Sequence, residues 1–194
     1  MDLSDEELVE LSQQGSRSAF ATLVERHKTA VFSMACRIIG KREDAEEAAQ
    51  DAFIRAYRAL DQFRRDSKFS TWLYRIAMNV CLTKAKQTRF DATSIEASME
   101  EDEESVPLQL PDRGESPDRL VERNEFRERV HALIASLSPK YSAVLMLYHI
   151  QDCSYEEISE ILNLPIGTVK AHLFRAREAL KRRALEALEP QELQ

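Results

Sequence analysis

The chain has 194 residues, a mass of 22.3 kDa, a net charge of −7 and a pI near 5.3, enough for one ordinary domain or two small ones. Its 4 glycines and 6 prolines leave few residues for tight hairpins, which argues against a β-sandwich or barrel, and no apolar run nears the ~18 residues of a membrane span. Taken alone, the acidic total also argues against a nucleic-acid partner.

The N-terminus is acidic and lacks a basic-then-apolar leader, so no secretory signal is expected; residues 1–14 carry a net −5. Phe20, Leu23, Val24, His27, Val31, Met34, Ala35 and Ile38 then recur at helical spacing, and Gly40 is a stop signal. His27 lies on this apolar face and reads as a core-flanking side chain, not a ligand. Ala45, Ala48, Ala49, Ala52, Phe53, Ala56, Tyr57 and Leu60 mark a second amphipathic helix, its small residues suited to close packing. Phe63 to Ser70 reads as a loop. Phe69, Trp72, Leu73, Ile76, Ala77 and Val80 form a third stripe. Residues 15–90 together carry +7.

Residues 91–118 carry −9 and three of the six prolines, Pro107, Pro111 and Pro117. Like-charge repulsion along Glu100 to Glu104 and low hydrophobicity predict an extended linker. It is either a solvated tether or a nucleic-acid mimic for a basic channel on a partner. Beyond it, residues 119–194 are neutral in sum. Phe126, Val130, Leu133, Ile134 and Leu137 form one stripe that stops at Ser138-Pro139, and Tyr141, Val144, Leu145 and Tyr148 form the next. There is no convincing strand and no repeat. The expected fold is all-α: two small helical domains, 1–90 and 119–194, joined by the acidic flexible linker.

Residues 154–180 have the pattern of a helix-turn-helix. Ser154 is a good N-cap with Glu156 and Glu157 in the first turn. Ile158, Ile161 and Leu162 share a face, Asn163 tolerates the left-handed turn, and Pro165 can open the next helix. At about 100° per residue, Val169, Leu173, Ala176 and Leu180 fall on a narrow apolar stripe. Lys170, Ala171, Phe174, Arg175, Arg177, Glu178 and Lys181 fall on the opposite, basic face. An exposed Phe174 would suit a thymine methyl or a sugar; the alternative is packing on a neighbouring helix.

Residues 55–89 hold nine bases and two acids, with Phe63, Phe69, Trp72 and Tyr74 interleaved. Bases that track phosphates and rings that stack on unpaired bases suit single-stranded DNA. The place of Trp72 on the apolar stripe favours the core for that ring. The Phe63–Ser70 loop could receive an extruded base, and Asn79 could read a base edge. The cysteines, Cys36, Cys81 and Cys153, are far apart and odd in number, which fits reduced thiols. No metal-ligand spacing, catalytic constellation or phosphate-cradling glycine loop is present, so neither an enzyme nor a cofactor is expected.

The chain resembles the extracytoplasmic-function (group 4) σ factors of the σ70 family. The segments that carry this are EEAAQDAFIRAYRAL (46–60), DQFRRDSKFSTWLYRIAMNVC (61–81) and CSYEEISEILNLPIGTVKAHLFRAREAL (153–180). The resemblance implies a non-catalytic subunit that binds core RNA polymerase and directs initiation at promoters in a stress or envelope response. Gln50, Asp51 and Phe53 would meet the β′ clamp, with further contacts to the β subunit. Phe63, Arg64, Lys68, Phe69, Ser70 and Trp72, with Asn79 behind, would capture a base flipped from the −10 element, while Arg75, Lys84 and Lys86 hold phosphates. Thr168, Lys170, Ala171, Phe174 and Arg175 would contact the −35 element, with Arg177 on the backbone. The linker would thread the polymerase cleft. An anti-σ protein, often membrane-bound, would hold the factor inactive in the cytoplasm, and the free chain would be monomeric. Ala171 and His172 depart from the polar and basic residues usual at their positions. The competing reading is a regulator that binds palindromic duplex without polymerase. The charge total, being a sum over unlike parts, describes no DNA-facing surface, and the acidic segments are expected to screen the basic ones in the free chain.

Overall fold

A computed structural model describes residues 3–95, 130, 133–134 and 136–188, with backbone alone for 88–95 and 186–188. All regular structure among the described residues is helical. The acidic start of the chain is itself a helix, α1 (Asp5–Gln13). Ser4 Oγ accepts from the Glu7 N–H at 3.2 Å while Glu7 Oε2 accepts from the Ser4 N–H at 2.7 Å, a reciprocal cap that satisfies two orphan donors. Asp5, in the first turn, reaches Arg26 at 2.9 Å and His27 Nε2 at 2.6 Å, tying α1 to α2 (Arg17–Ile39). α2 ends at Gly40, whose φ of +86° suits a residue without Cβ.

α3 (Arg42–Ala59) buries Ala45, Ala48, Ala49, Ala52 and Ala56. This alanine face lets α3 lie close to α2 and α4 (Phe69–Ile95). Tyr57 departs from expectation: it is 48% exposed and turns out of the stripe onto the Phe20 ring, 4.9 Å away. A 3₁₀ turn at Leu60–Gln62 leads into the loop before α4. The loop is shorter than expected, since Phe69 and Ser70 already belong to α4. α4 also continues to Ile95, past the expected boundary at 90. The remaining linker residues, 96–118, and Phe126 lie outside the described residues.

In the C-terminal half, α5 (Pro139–His149) begins with Pro139 in its first turn, where no backbone donor is needed. Ser142 to Leu147 are all buried, so α5 is the apolar centre around which α6 (Tyr155–Leu162) and α7 (Ile166–Leu188) pack. Ser154 and Glu157 repeat the reciprocal cap at the start of α6. Asn163 closes α6 in the left-handed region at φ 51°, ψ 50°, and Ser159 Oγ donates to the Leu164 carbonyl at 2.5 Å across the turn. Val169, Leu173 and Ala176 are buried beneath α7, as the spacing predicts, and Leu180 is half-buried.

The two helix groups do not stand apart. α4 packs on α6, α2 packs on α5, and the buried residues of both halves form one continuous core. Tyr74 Oη donates to Gln151 Oε1 at 3.0 Å across this junction. Cys153 is buried beside it, near enough to Lys68 and Tyr74 to influence both electrostatically.

Candidate nucleic-acid interface

The outer face of α7 carries Lys170, Ala171, Phe174, Arg175 and Arg177, all exposed, while Thr168 is half-buried at its start. Phe174 is 66% exposed, so the alternative of packing on a neighbouring helix is not realised. Beneath this face lies an aromatic step absent from the sequence reading. Tyr148 and Tyr155 stack with centroids 5.2 Å apart and planes 12° from parallel. Lys170 Nζ sits 5.5 Å above Tyr155 and Arg177 Cζ 5.3 Å above Tyr148. Such cation–π contacts contribute about 0.5–1 kcal/mol each at exposed sites. Arg177 also donates to His149 Nε2, with its nitrogens 3.1 and 3.3 Å away.

That bond requires a neutral imidazole. Partial burial, helped by the Arg177 charge, lowers the His149 pKa from its ordinary value, so the ring is an acceptor at neutral pH. His172, which enters the sequence reading only as a departure from the usual residue at its position, turns toward Tyr141, with ring centroids 5.7 Å apart in a T-shaped contact. Burial lowers its pKa too. The departure at this position therefore falls on a packing side chain.

In the N-terminal half the rings expected to meet DNA face inward. Phe63, Phe69 and Trp72 are all buried. Phe63 lies 4.9 Å from Trp72 and 6.1 Å from Phe69. They form the floor of the loop, not an open stacking platform, because three large rings gain more from mutual burial than from water. The exposed part of the loop is polar: Arg64, Arg65, Asp66 and Lys68, with Ser67 and Ser70 half-buried. Gln13 shapes it from below. Its Nε2 donates to the Leu60 and Phe63 carbonyls at 2.9 and 3.1 Å, and its Oε1 accepts from Arg65 at 3.0 Å. Arg65 holds a left-handed φ of 63°. Neither Gln13 nor Arg65 stood out in the sequence.

Along α4, Asn79 and Lys86 are exposed and Arg75 is half-buried. Several of the cations expected at the −10 element already have acidic partners. Lys84 pairs with Glu47 at 2.6 Å and Asp44 at 3.6 Å on α3. Lys68 meets Glu157 at 2.9 Å and Arg75 meets Glu160 at 3.7 Å, both acids on α6. The hydrogen bond to Glu157 raises the Lys68 pKa. The Glu157 carboxyl is lowered, first by the Ser154 backbone N–H and then by Lys68.

A third surface lies on α3. Gln50 is exposed, Phe53 is half-buried, and half-buried Asp51 pairs with Arg55 at 2.9 Å. Ile54, 50% exposed, stands between Gln50 and Arg58 along α3 and is an exposed apolar side chain the sequence reading missed. Its position off the alanine stripe was the available signal. The cysteines carry no nucleophilic character: burial pushes Cys36 and Cys153 up to about 11 and Cys81 up to about 12, so all three are thiols at neutral pH.

Comparison with known proteins matches both halves. The family described as Sigma-70 region 2 aligns with residues 23–90, and Sigma-70, region 4 aligns with residues 127–180. The RNA polymerase sigma-H factor of Pseudomonas aeruginosa is 38% identical over 96% of this chain and 94% of its own length. The ECF RNA polymerase sigma-E factor of Escherichia coli is 39% identical over 92% of this chain and 93% of its own. The fold is similar to that of the sigma factor RpoE of Bartonella quintana, solved in complex with the anti-sigma factor NepR. That likeness has a TM-score of 0.66 and 21% identity, covering 88% of this chain and 98% of the other.

Proposed function

The chain belongs to the extracytoplasmic-function σ factors of the σ70 family, and from that membership we propose how its surfaces share the work of promoter recognition. As a σ factor it directs RNA polymerase to promoters and starts transcription there. α7 enters the major groove of the −35 element, with Phe174 against base methyls or sugars and Lys170, Arg175 and Arg177 on phosphates. The single observation that carries this reading is the exposed Phe174, on the face where Lys170 and Arg177 lie over the Tyr155 and Tyr148 rings. Lys170 and Arg175 each add a phosphate contact, so alanine at either position should lower the salt slope of promoter binding by about 0.9.

The loop 64–68 and the outer face of α4 take the −10 element as a single strand. Lys68, Arg75, Lys84 and Lys86 hold its phosphates, and Arg64, Ser70 and Asn79 offer polar contacts to an extruded base. Phe63, Phe69 and Trp72 support the pocket from inside. Binding the strand better than the duplex shifts DNA toward the melted state. The chain is the non-catalytic subunit, and core polymerase supplies the bond chemistry in the cytoplasm. Gln50, Asp51, Ile54 and Phe53 on α3 meet the β′ clamp. The relative solved with an anti-sigma factor supports a similar inhibitor for this chain.

Run-off transcription with core polymerase on a promoter library tests the reading; duplex binding with no affinity for core would refute it. Asp51→Arg tests the clamp assignment. It exchanges the Arg55 pair for a like-charge pair on an exposed face, a small change for the fold. The variant should stay folded and fail to compete for core polymerase, and normal competition would refute the assignment.

A further inference from the structure

Two of the four cations assigned to the −10 strand, Lys68 and Arg75, are engaged from the other half of the chain. Glu157 and Glu160 lie one turn apart on α6 and reach Lys68 and Arg75, 89 and 85 residues away in sequence. Two carboxylates thus face two cations that a strand's phosphates would otherwise meet. The junction is also specific beyond charge, through the Tyr74–Gln151 hydrogen bond and the packing of α6 on α4. Over the same junction the −35 face of α7 stays open, with Phe174, Lys170 and Arg175 exposed.

We propose that α6 is an internal occupant of the −10 surface, its Glu157 and Glu160 standing in for DNA phosphates, so that the free chain keeps its −10 surface closed while its −35 face remains available. The proposal rests on the σ-factor reading of those cations. It assigns the screening of the basic segment to two carboxylates of the first helix of the helix-turn-helix. A strand can bind only after α6 leaves, so its apparent affinity falls by the fraction of chains that are open.

The test uses the full chain without polymerase and a fluorescent pool of randomised single strands, roughly a dozen nucleotides long, read by anisotropy at low salt. Glu157→Gln with Glu160→Gln keeps the N3 side chain able to complete the cap while removing both charges. It should bind the pool about three- to tenfold tighter than the parent, the range two surface ion pairs supply. Gln151→Ala, which changes no charge, should move binding in the same direction. Glu43→Gln with Glu156→Gln, two exposed acids away from the junction, controls for net charge and should gain less than twofold. Equal gains in the control pair, or unchanged binding in both junction variants, would overturn the proposal. Circular dichroism checks that each variant is folded, and Gln151→Ala supplies the answer if the double variant is not. Run-off transcription with core polymerase separates the two levels of inference. Parent and junction variants that all transcribe but bind single strands equally defeat the closure alone, whereas a parent that never transcribes with core defeats the σ-factor reading itself.

Discussion

Neighbours on α7 separate recognition from stability. Phe174 points to solvent and Leu173 is buried, so adjacent alanine substitutions should have opposite signatures. Phe174→Ala should keep the melting temperature within a few degrees, since surface changes stay within about 0.5 kcal/mol, and reduce transcription from the cognate promoter several-fold. Leu173→Ala leaves a cavity costing about 2–5 kcal/mol, and should lower the melting temperature sharply. Thermal melts and run-off assays on both proteins check the pair. The apolar and basic faces of α7 were legible because a helix repeats every 3.6 residues and the stripe is uninterrupted. The Tyr148–Tyr155 step was not, since it joins two helices through rings whose spacing in sequence carries no period. The same holds for Phe63, Phe69 and Trp72: composition shows aromatics among bases, but only the fold shows that the rings choose one another.

At the level of elements, α1 is a support for the loop it never joins covalently. Gln13 → Ala would strip the Leu60 and Phe63 carbonyls of their side-chain donor and release Arg65. The Leu60 carbonyl keeps the Phe63 N–H at 3.0 Å, so the loss falls on the Phe63 carbonyl, where an unsatisfied group costs about 1–3 kcal/mol. Hydrogen exchange at residues 63–68 should therefore quicken in Gln13→Ala while the amides of α2 stay protected; unchanged exchange in the loop would show that α1 gives it no support. α1 went unseen in the sequence because its acids were read as charge, although Ser4 and Glu7 already have the spacing of a reciprocal cap. α3 illustrates the opposite case. Its alanine stripe named the buried side correctly, and the one member that broke rank, Tyr57, is a ring too large for the narrow space that alanines leave.

For the whole molecule, acid should weaken the C-terminal helices. His149 and His172 both have pKa values lowered from 6.5. The unfolded chain then takes up protons first as pH falls, so the stability each contributes is complete above 6.5 and declines through its lowered folded value. Arg177 and Asp152 face His149, and Lys140 and Arg175 face His172; the cations resist protonation of both rings. Glu157 acts further down: its value is lowered from 4.5, so its contribution persists above that point and fades as pH drops through the lowered one. Melting temperature measured from pH 7.5 to 5 should fall in the parent and fall less in His149→Gln, which keeps an acceptor for Arg177 without titrating. The two-domain, all-helical plan was legible from composition and periodicity. The junction was not, because Lys68 with Glu157 and Tyr74 with Gln151 pair across 89 and 77 residues, beyond any local pattern.

Cys153 gives that junction a clock. Its thiol is buried where the halves meet, and burial holds its pKa at about 11, so parting of the halves should speed its reaction with a maleimide. Cys81, buried within the first half, reports the unfolding of that half. Alkylation of one thiol ahead of the other would time how often the chain opens, in a protein carrying no label and no substitution.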